Sequence, residues 1–195
     1  LLSAHGVEEI ILATGHMHEK IEQFFGSGKG FGVKIRYSVE KEPLGTGGAL
    51  KAAQGLLGER FFMVNGDNIA DFNLREMALC HLSSGALATI ALKEVGDITS
   101  FGVARVEGEK IIEFVEKPSP ADAPSRLVNA GTYIIEKKAL EFLPSGFNLI
   151  ERTLFPRLAA MGKLFCHVHK GMWLTTDTKE RLERAEKAIL AGRKK

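Results

Sequence analysis

Cysteine is scarce in this sequence, neither sign of charge is in excess, and no apolar run is long. The two cysteines, Cys80 and Cys166, lie far apart without metal-ligand spacing, and such usage predicts two buried thiols in a reducing compartment. Lysine and arginine number 26 against 24 acidic residues, a formal net charge of +2 with both signs interspersed. No basic stripe is available to follow a phosphodiester backbone, so nucleic acid is not an expected partner. The longest apolar run, residues 86–92, is far too short to cross a bilayer, and no signal peptide is evident. A cytoplasmic protein without a membrane partner is the expectation. There is no internal repeat and no low-complexity linker. An initiator methionine is also lacking: Leu1-Leu2-Ser3-Ala4-His5-Gly6 reads as the last turn of a helix closing on Gly6, as though something precedes it. The terminal Arg193-Lys194-Lys195 suits a solvated helix end favoured by the helix dipole.

What is present is enough apolar residue, 45% of 195, for one core and a single domain over residues 1–195. Strand and helix patterns alternate along the first half: strands at 9–13, 33–39, 61–64 and 86–92, with helices at 20–25, 47–57 and from an Asn73 to Glu76 capping box to residue 82. That alternation predicts an α/β sheet of mostly parallel order layered by helices. A hairpin follows at 101–106 and 110–115, then a long strand at 127–135, which brings antiparallel order into the sheet. Helices at 137–143 and 150–161, a strand at 164–169 and an amphipathic helix from 178 to about 191 complete the chain.

The chemistry-bearing segments begin with Glu42-Pro43-Leu44-Gly45-Thr46-Gly47-Gly48 opening a helix, followed by the apolar strand that ends Val64-Asn65-Gly66-Asp67. Glycines let backbone amides approach an anion, and a lone carboxylate at a strand end can hold the divalent cation that phosphates bring. The same residues also suit an ordinary loop and, at Asn65-Gly66, a hairpin turn. The glycines of residues 26–32 follow a helix instead of a strand, the wrong order for a dinucleotide fingerprint. Val115-Glu116-Lys117-Pro118 closes a strand with an acid and a base; lysine suits a phosphate and glutamate suits hydroxyls, though solvated strand ends look alike. Gly131 within Asn129-Ala130-Gly131 weakens its strand unless a ligand or another backbone comes close. His167 and His169 share a strand face but lack a third ligand, and packing explains them better than zinc does.

Taken in order, residues 42–50, Val64-Asn65-Gly66-Asp67, Phe101-Gly102-Val103, Phe114 to Pro118, Asn129-Ala130-Gly131 and Trp173-Leu174-Thr175-Thr176-Asp177-Thr178 resemble the sugar-1-phosphate nucleotidylyltransferases, also called NDP-sugar pyrophosphorylases. The glycine loop is most similar to that of the mannose-1-phosphate and heptose-1-phosphate guanylyltransferases. The resemblance implies a Rossmann-like nucleotidyltransferase fold, a mixed, mostly parallel sheet with helices on both faces. It implies transfer of a nucleotidyl group from an NTP to a sugar 1-phosphate with Mg²⁺, GTP being favoured over dTTP, CTP and UTP. By motif, Gly45, Thr46, Gly47 and Gly48 line the base and ribose, Asp67 binds Mg²⁺, Glu116 and Asn129 hold sugar hydroxyls, Lys117 grips the sugar phosphate and Gly131 leaves room for the ring. The family's first strand and its glycine-rich phosphate loop have no counterpart here, so a non-catalytic binding or regulatory subunit is the alternative, and oligomeric state is open. Thr175 stands where many relatives carry their second metal-binding Asp. Asp177 is left to serve as that ligand or as the cap of the last helix.

Overall fold

The computed structural model describes residues 1–192, and the basic tripeptide 193–195 lies outside them. In chain order its strands are β1 (Glu9–Thr14), β2 (Lys34–Val39), β3 (Arg60–Val64), β4 (Asn68–Ala70), β5 (Ala88–Glu94), β6 (Gly102–Glu107), β7 (Lys110–Glu116), β8 (Leu127–Glu136), β9 (Leu164–Val168) and β10 (Trp173–Thr175). The α-helices are α1 (His18–Phe25), α2 (Gly45–Ala52), α3 (Leu74–Ser84), α4 (Ile150–Ala160) and α5 (Lys179–Gly192).

Six strands form one sheet in the order β3-β8-β5-β9-β7-β6. The period-2 burial of its strands divides the core in two. Ile90, Leu92, Tyr133 and Ile135 pack on one face against Leu154, Phe155 and Leu158 of α4. Ala91, Ala130 and Ile134 pack on the other against Phe72 and against Leu74 and Met77 of α3. Burying each large side chain of this kind contributes about 1.5–3 kcal/mol, so both faces are anchored by helices, as the α/β pattern predicts. The parallel share is smaller than the alternation of strands and helices suggests. Within this sheet only β5 and β9 pair in parallel, because β8 inserts between β3 and β5 and runs against both. β1 and β2 form a separate parallel pair, and among the described residues β1 pairs with β2 alone and β3 with β8 alone.

Local signals account for most element ends. Asn73 Oδ1 accepts the Glu76 N–H at 3.2 Å and Gly85 closes α3 at φ 65°, the capping pattern of its sequence. Gly6 closes a 3₁₀ turn over Ser3–His5 at φ 80°, its N–H donating to Ser3 O. Gly108, at φ 60°, turns β6 into β7. The helix expected at 137–143 is instead 3₁₀, Lys137–Phe142, and α2 ends early, at Ala52, before a 3₁₀ turn. Cys166 is buried, while Cys80 is only partly so; burial pushes their thiols up to about 12 and about 11. No described helix is long and apolar enough to cross a membrane.

Candidate active site

The two-stranded pairing of β4 with β10 joins chain segments a hundred residues apart, with Thr175 opposite Asn68. The Asp67 carbonyl accepts both the N–H and the hydroxyl of Thr176 at 2.8 Å. This stitch sets Asp67 and Asp177 on one rim of a polar cavity of about 150 Å³, which Glu116, Asn129 and Glu151 also line. Trp173 forms its wall: the indole N–H donates to Ala130 O at 3.0 Å, and the ring leans on Phe101 at 5.3 Å between centroids.

Asp177 does not cap α5. Thr178 Oγ1 accepts the Arg181 N–H at 3.2 Å in that role, whereas Arg181 Nη1 donates to both Asp177 oxygens at 2.9 Å. That guanidinium holds the Asp177 carboxyl below the usual carboxylate range. It also lies over the Phe101 ring, 5.6 Å from its centroid. Asp67, by contrast, makes no side-chain hydrogen bond or ion pair among the described residues.

Glycines make room for polar side chains here. Gly102 sits opposite Glu116 in the β6–β7 register, and a Cβ there would come within 2.8 Å of Glu116 Oε2. Burial, and secondarily the nearby Glu151, raise the Glu116 carboxyl above its ordinary value. Gly131 adopts φ 71° at an irregularity of the β5–β8 register, and a Cβ there would collide with Asn68 Nδ2 and crowd Asn65 Nδ2. The space above Gly131 is therefore filled by the protein's own amides, with Asn68 Nδ2 donating to Ala130 O at 3.2 Å. Asn129 donates to the buried Tyr133 hydroxyl at 2.9 Å and accepts the Gly131 N–H at 3.0 Å. Lys117, next to Glu116, holds φ 49°, a left-handed backbone that costs a non-glycine residue about 1–3 kcal/mol. Its N–H donates to Phe101 O at 3.1 Å, and its ammonium has no ion pair among the described residues.

The glycine turn is arranged differently. The Gly47 and Gly48 N–H groups donate to Asn148 O at 2.9 and 3.3 Å, so neither amide is free for an anion. Gly45, at φ 70°, comes so near that chain that a Cβ would stand 2.6 Å from Asn148 O. Thr46 Oγ1 accepts the Ile150 N–H at 3.0 Å and donates to Glu151 Oε2 at 2.7 Å. The structure thus gathers Asp67, Glu116, Asn129 and Asp177 around one cavity, ties Thr46 to it through Glu151, and turns Gly45, Gly47 and Gly48 onto the segment before α4. Glu151, Asn65 and Asn68 are absent from the sequence reading as site residues. Asn68 directly follows Asp67, and Glu151 is an acid in the first turn of a helix, but its link to Thr46 spans 105 residues. The strand-face histidines are separate from this cavity: His169 Nε2 lies 3.0 Å from Asp71 Oδ1, and its ring packs on Phe72 at 4.4 Å.

Known proteins share this arrangement of chain. A mannose-1-phosphate guanylyltransferase of Mycobacterium tuberculosis is 34% identical over 98% of this chain and 54% of its own length. A UTP--glucose-1-phosphate uridylyltransferase of Synechocystis is 34% identical over 87% of this chain and 48% of its own. The chain therefore spans about half the length of the curated relatives it matches. Among solved structures, HddC of Yersinia pseudotuberculosis complexed with GMP-PN superposes with a TM-score of 0.80 at 26% identity, over 96% of this chain and 81% of that one. The Rossmann-like fold, the order of the motifs and a nucleotidyl transferase family model that matches residues 1–192 agree, and the chain belongs to the nucleotidyl transferase family.

Proposed function

We propose that this chain builds the sugar-phosphate side of a site that transfers a nucleotidyl group from an NTP to a sugar 1-phosphate, releasing pyrophosphate. The observation that carries this reading is the convergence of Asp67, Glu116, Glu151 and Asp177 on one small polar cavity, with Lys117 next in the chain to Glu116 and in a left-handed backbone conformation. Carboxylates and asparagines suit the hydroxyls of a sugar, and Lys117 suits its phosphate. Fixed groups of this kind favour in-line attack of a sugar-phosphate oxygen on the α-phosphorus of the NTP by positioning, without a covalent nucleophile. Glu116 and Glu151 accept hydrogen bonds from sugar hydroxyls, and Lys117 neutralises the attacking phosphate as charge builds on the transferred group.

The donor set fits Mg²⁺, which takes one or two carboxylates and fills its remaining positions with water and substrate phosphate. Asp67, whose carboxylate has no partner among the described residues, would hold the ion, and Asp177, which Arg181 holds here, would be the second carboxylate. When bound, the ion offsets negative charge at the α-phosphorus. GTP is the first NTP to test, given the named activities of the guanylyltransferase relatives, with dTTP, CTP and UTP beside it. Pyrophosphate release by the full-length protein, measured over a matrix of these NTPs with mannose, glucose and heptose 1-phosphates, tests the reading. Turnover of at least one pair is expected. Binding of a sugar 1-phosphate without turnover by any pair would point instead to a non-catalytic binding subunit.

A further inference from the structure

We infer that Thr46 is a positioning residue for the sugar side of the site, acting through Glu151, and that its hydroxyl does not donate to the nucleotide. Resting on the function proposed above, this assigns the hydroxyl in the glycine turn to the acceptor substrate, the sugar 1-phosphate.

A threonine hydroxyl has one proton to give and lone pairs to accept with. The Ile150 backbone N–H can only donate, so at 3.0 Å Thr46 Oγ1 is its acceptor. The hydroxyl proton then goes to Glu151 Oε2 at 2.7 Å, the short geometry of a bond to a charged acceptor. No proton remains for a base or ribose. The acceptor half of this arrangement is a helix cap supplied from a distance, since Leu149, which precedes α4, makes no side-chain cap. Capping alone would leave the hydroxyl proton undirected. Its direction onto a carboxylate lining the cavity fixes the Glu151 rotamer and leaves Oε1 as the oxygen free for a ligand.

The surroundings hold Thr46 rigidly enough for this task. On its far side, Gly47 and Gly48 donate to Asn148 O. Asn148, itself buried, ties its own turn together by donating from Nδ2 to Pro144 O and Gly146 O at 3.1 Å. Its N–H donates to Leu44 O at 2.9 Å. The glycine turn and the first turn of α4 are therefore joined through Asn148 and Thr46, and the Thr46 hydroxyl is directed at Glu151.

The test is steady-state kinetics of the full-length protein with GTP and mannose 1-phosphate, or whichever pair the matrix above identifies, for Thr46→Val, Thr46→Ser, Glu151→Gln and Thr46→Val combined with Glu151→Gln. Thr46→Val keeps the shape and removes the hydroxyl. It is expected to raise the sugar 1-phosphate KM about tenfold or more, the scale of a hydrogen bond to a charged group, with the NTP KM unchanged within about twofold. Thr46→Ser retains the hydroxyl and should restore the wild-type KM. In the Glu151→Gln background, Thr46→Val should cost less than it does in the wild type, because its effect passes through the side chain at that position and an amide accepts more weakly than a carboxylate. An increase in the NTP KM equal to that for the sugar phosphate, full additivity with Glu151→Gln, or failure of serine to rescue would each overturn the inference. Should Thr46→Val fail to fold, an unchanged kinetic profile for Glu151→Gln overturns it equally well. A wild-type protein that turns over no pair defeats the proposed function itself, whereas an active wild type with an indifferent Thr46→Val defeats only the role given to Thr46.

Discussion

The glycine turn and the carboxylate cavity lie next to each other but differ in how far their polar groups are already satisfied. In the turn, Gly47 and Gly48 spend their amides on Asn148 O, and its glycines are needed because the protein's own chain packs against them. At the cavity, Asp67 has no side-chain partner among the described residues and Glu116 is pushed toward its neutral form, while Lys117, next in the chain to Glu116, holds a left-handed backbone. Polar groups kept in unfavourable states mark a place built for something outside the chain. The turn's amides are spent within the protein, whereas the cavity keeps polar groups that a ligand could satisfy.

Substitutions can break this contrast. The largest effect is expected for Asp67→Asn in the full-length protein: Mg²⁺-dependent turnover should nearly vanish while the melting temperature stays close to wild type. Retention of substantial activity would remove Asp67 from the metal site. Lys117→Ala should impair use of the sugar 1-phosphate by about 1.5–3 kcal/mol in kcat/KM with little change in NTP binding; unaltered kinetics would make it a surface residue. Gly47→Ala should do the opposite. Its added methyl meets the Asn148 side chain, so a stability loss of about 1–3 kcal/mol by denaturant titration is expected, with the properly folded fraction retaining normal kinetics.

Asp177→Asn probes the middle ground. With Thr178 as the cap, stability should change by less than about 1 kcal/mol, the range for an exposed ion pair, while the Mg²⁺ requirement should rise. An unaltered Mg²⁺ titration would leave Asp177 as a partner of Arg181 only. The smallest effect concerns pH. Because the folded protein raises the Glu116 carboxyl, ionised Glu116 costs stability above its folded pKa, and that cost disappears as pH falls through the folded pKa toward the ordinary carboxylate range. Glu116→Gln should therefore raise the melting temperature near neutral pH and lose that advantage on acidification. A gain that persists unchanged in acid would assign it to packing.

Local physics made the elements readable and distance hid part of the site. The Asn73 cap and the hairpin turn at Gly108 depend on residues within a few positions of one another, so the sequence pattern carries them directly. Glu116, Asn129 and Asp67 also stand out, because each sits near a strand end or in a strand interior where its residue type is unusual, whereas Asp177 is legible only through the motif that follows Trp173. Glu151 does not stand out. An acid in the first turn of a helix is ordinary dipole chemistry, and only folding brings it to Thr46. The placement of β8 was hidden for the same reason, since a buried strand reads alike whether its neighbours run with it or against it.

The position of β8 also bears on the order in which the molecule can assemble. Among the described residues β3 pairs with β8, and β5 with β8 and β9, all of them later in the chain. During vectorial synthesis the apolar strands Arg60–Val64 and Ala88–Glu94 therefore emerge before β8, their shared partner, which is complete only when the chain reaches Glu136. Pairings at such sequence separation form slowly, and unpaired edges invite association between chains. The nascent protein should be most prone to aggregate in the interval between residues 64 and 136, and a ribosome-stalled series ending on either side of β8 should show solubility rising sharply once that strand is free to fold.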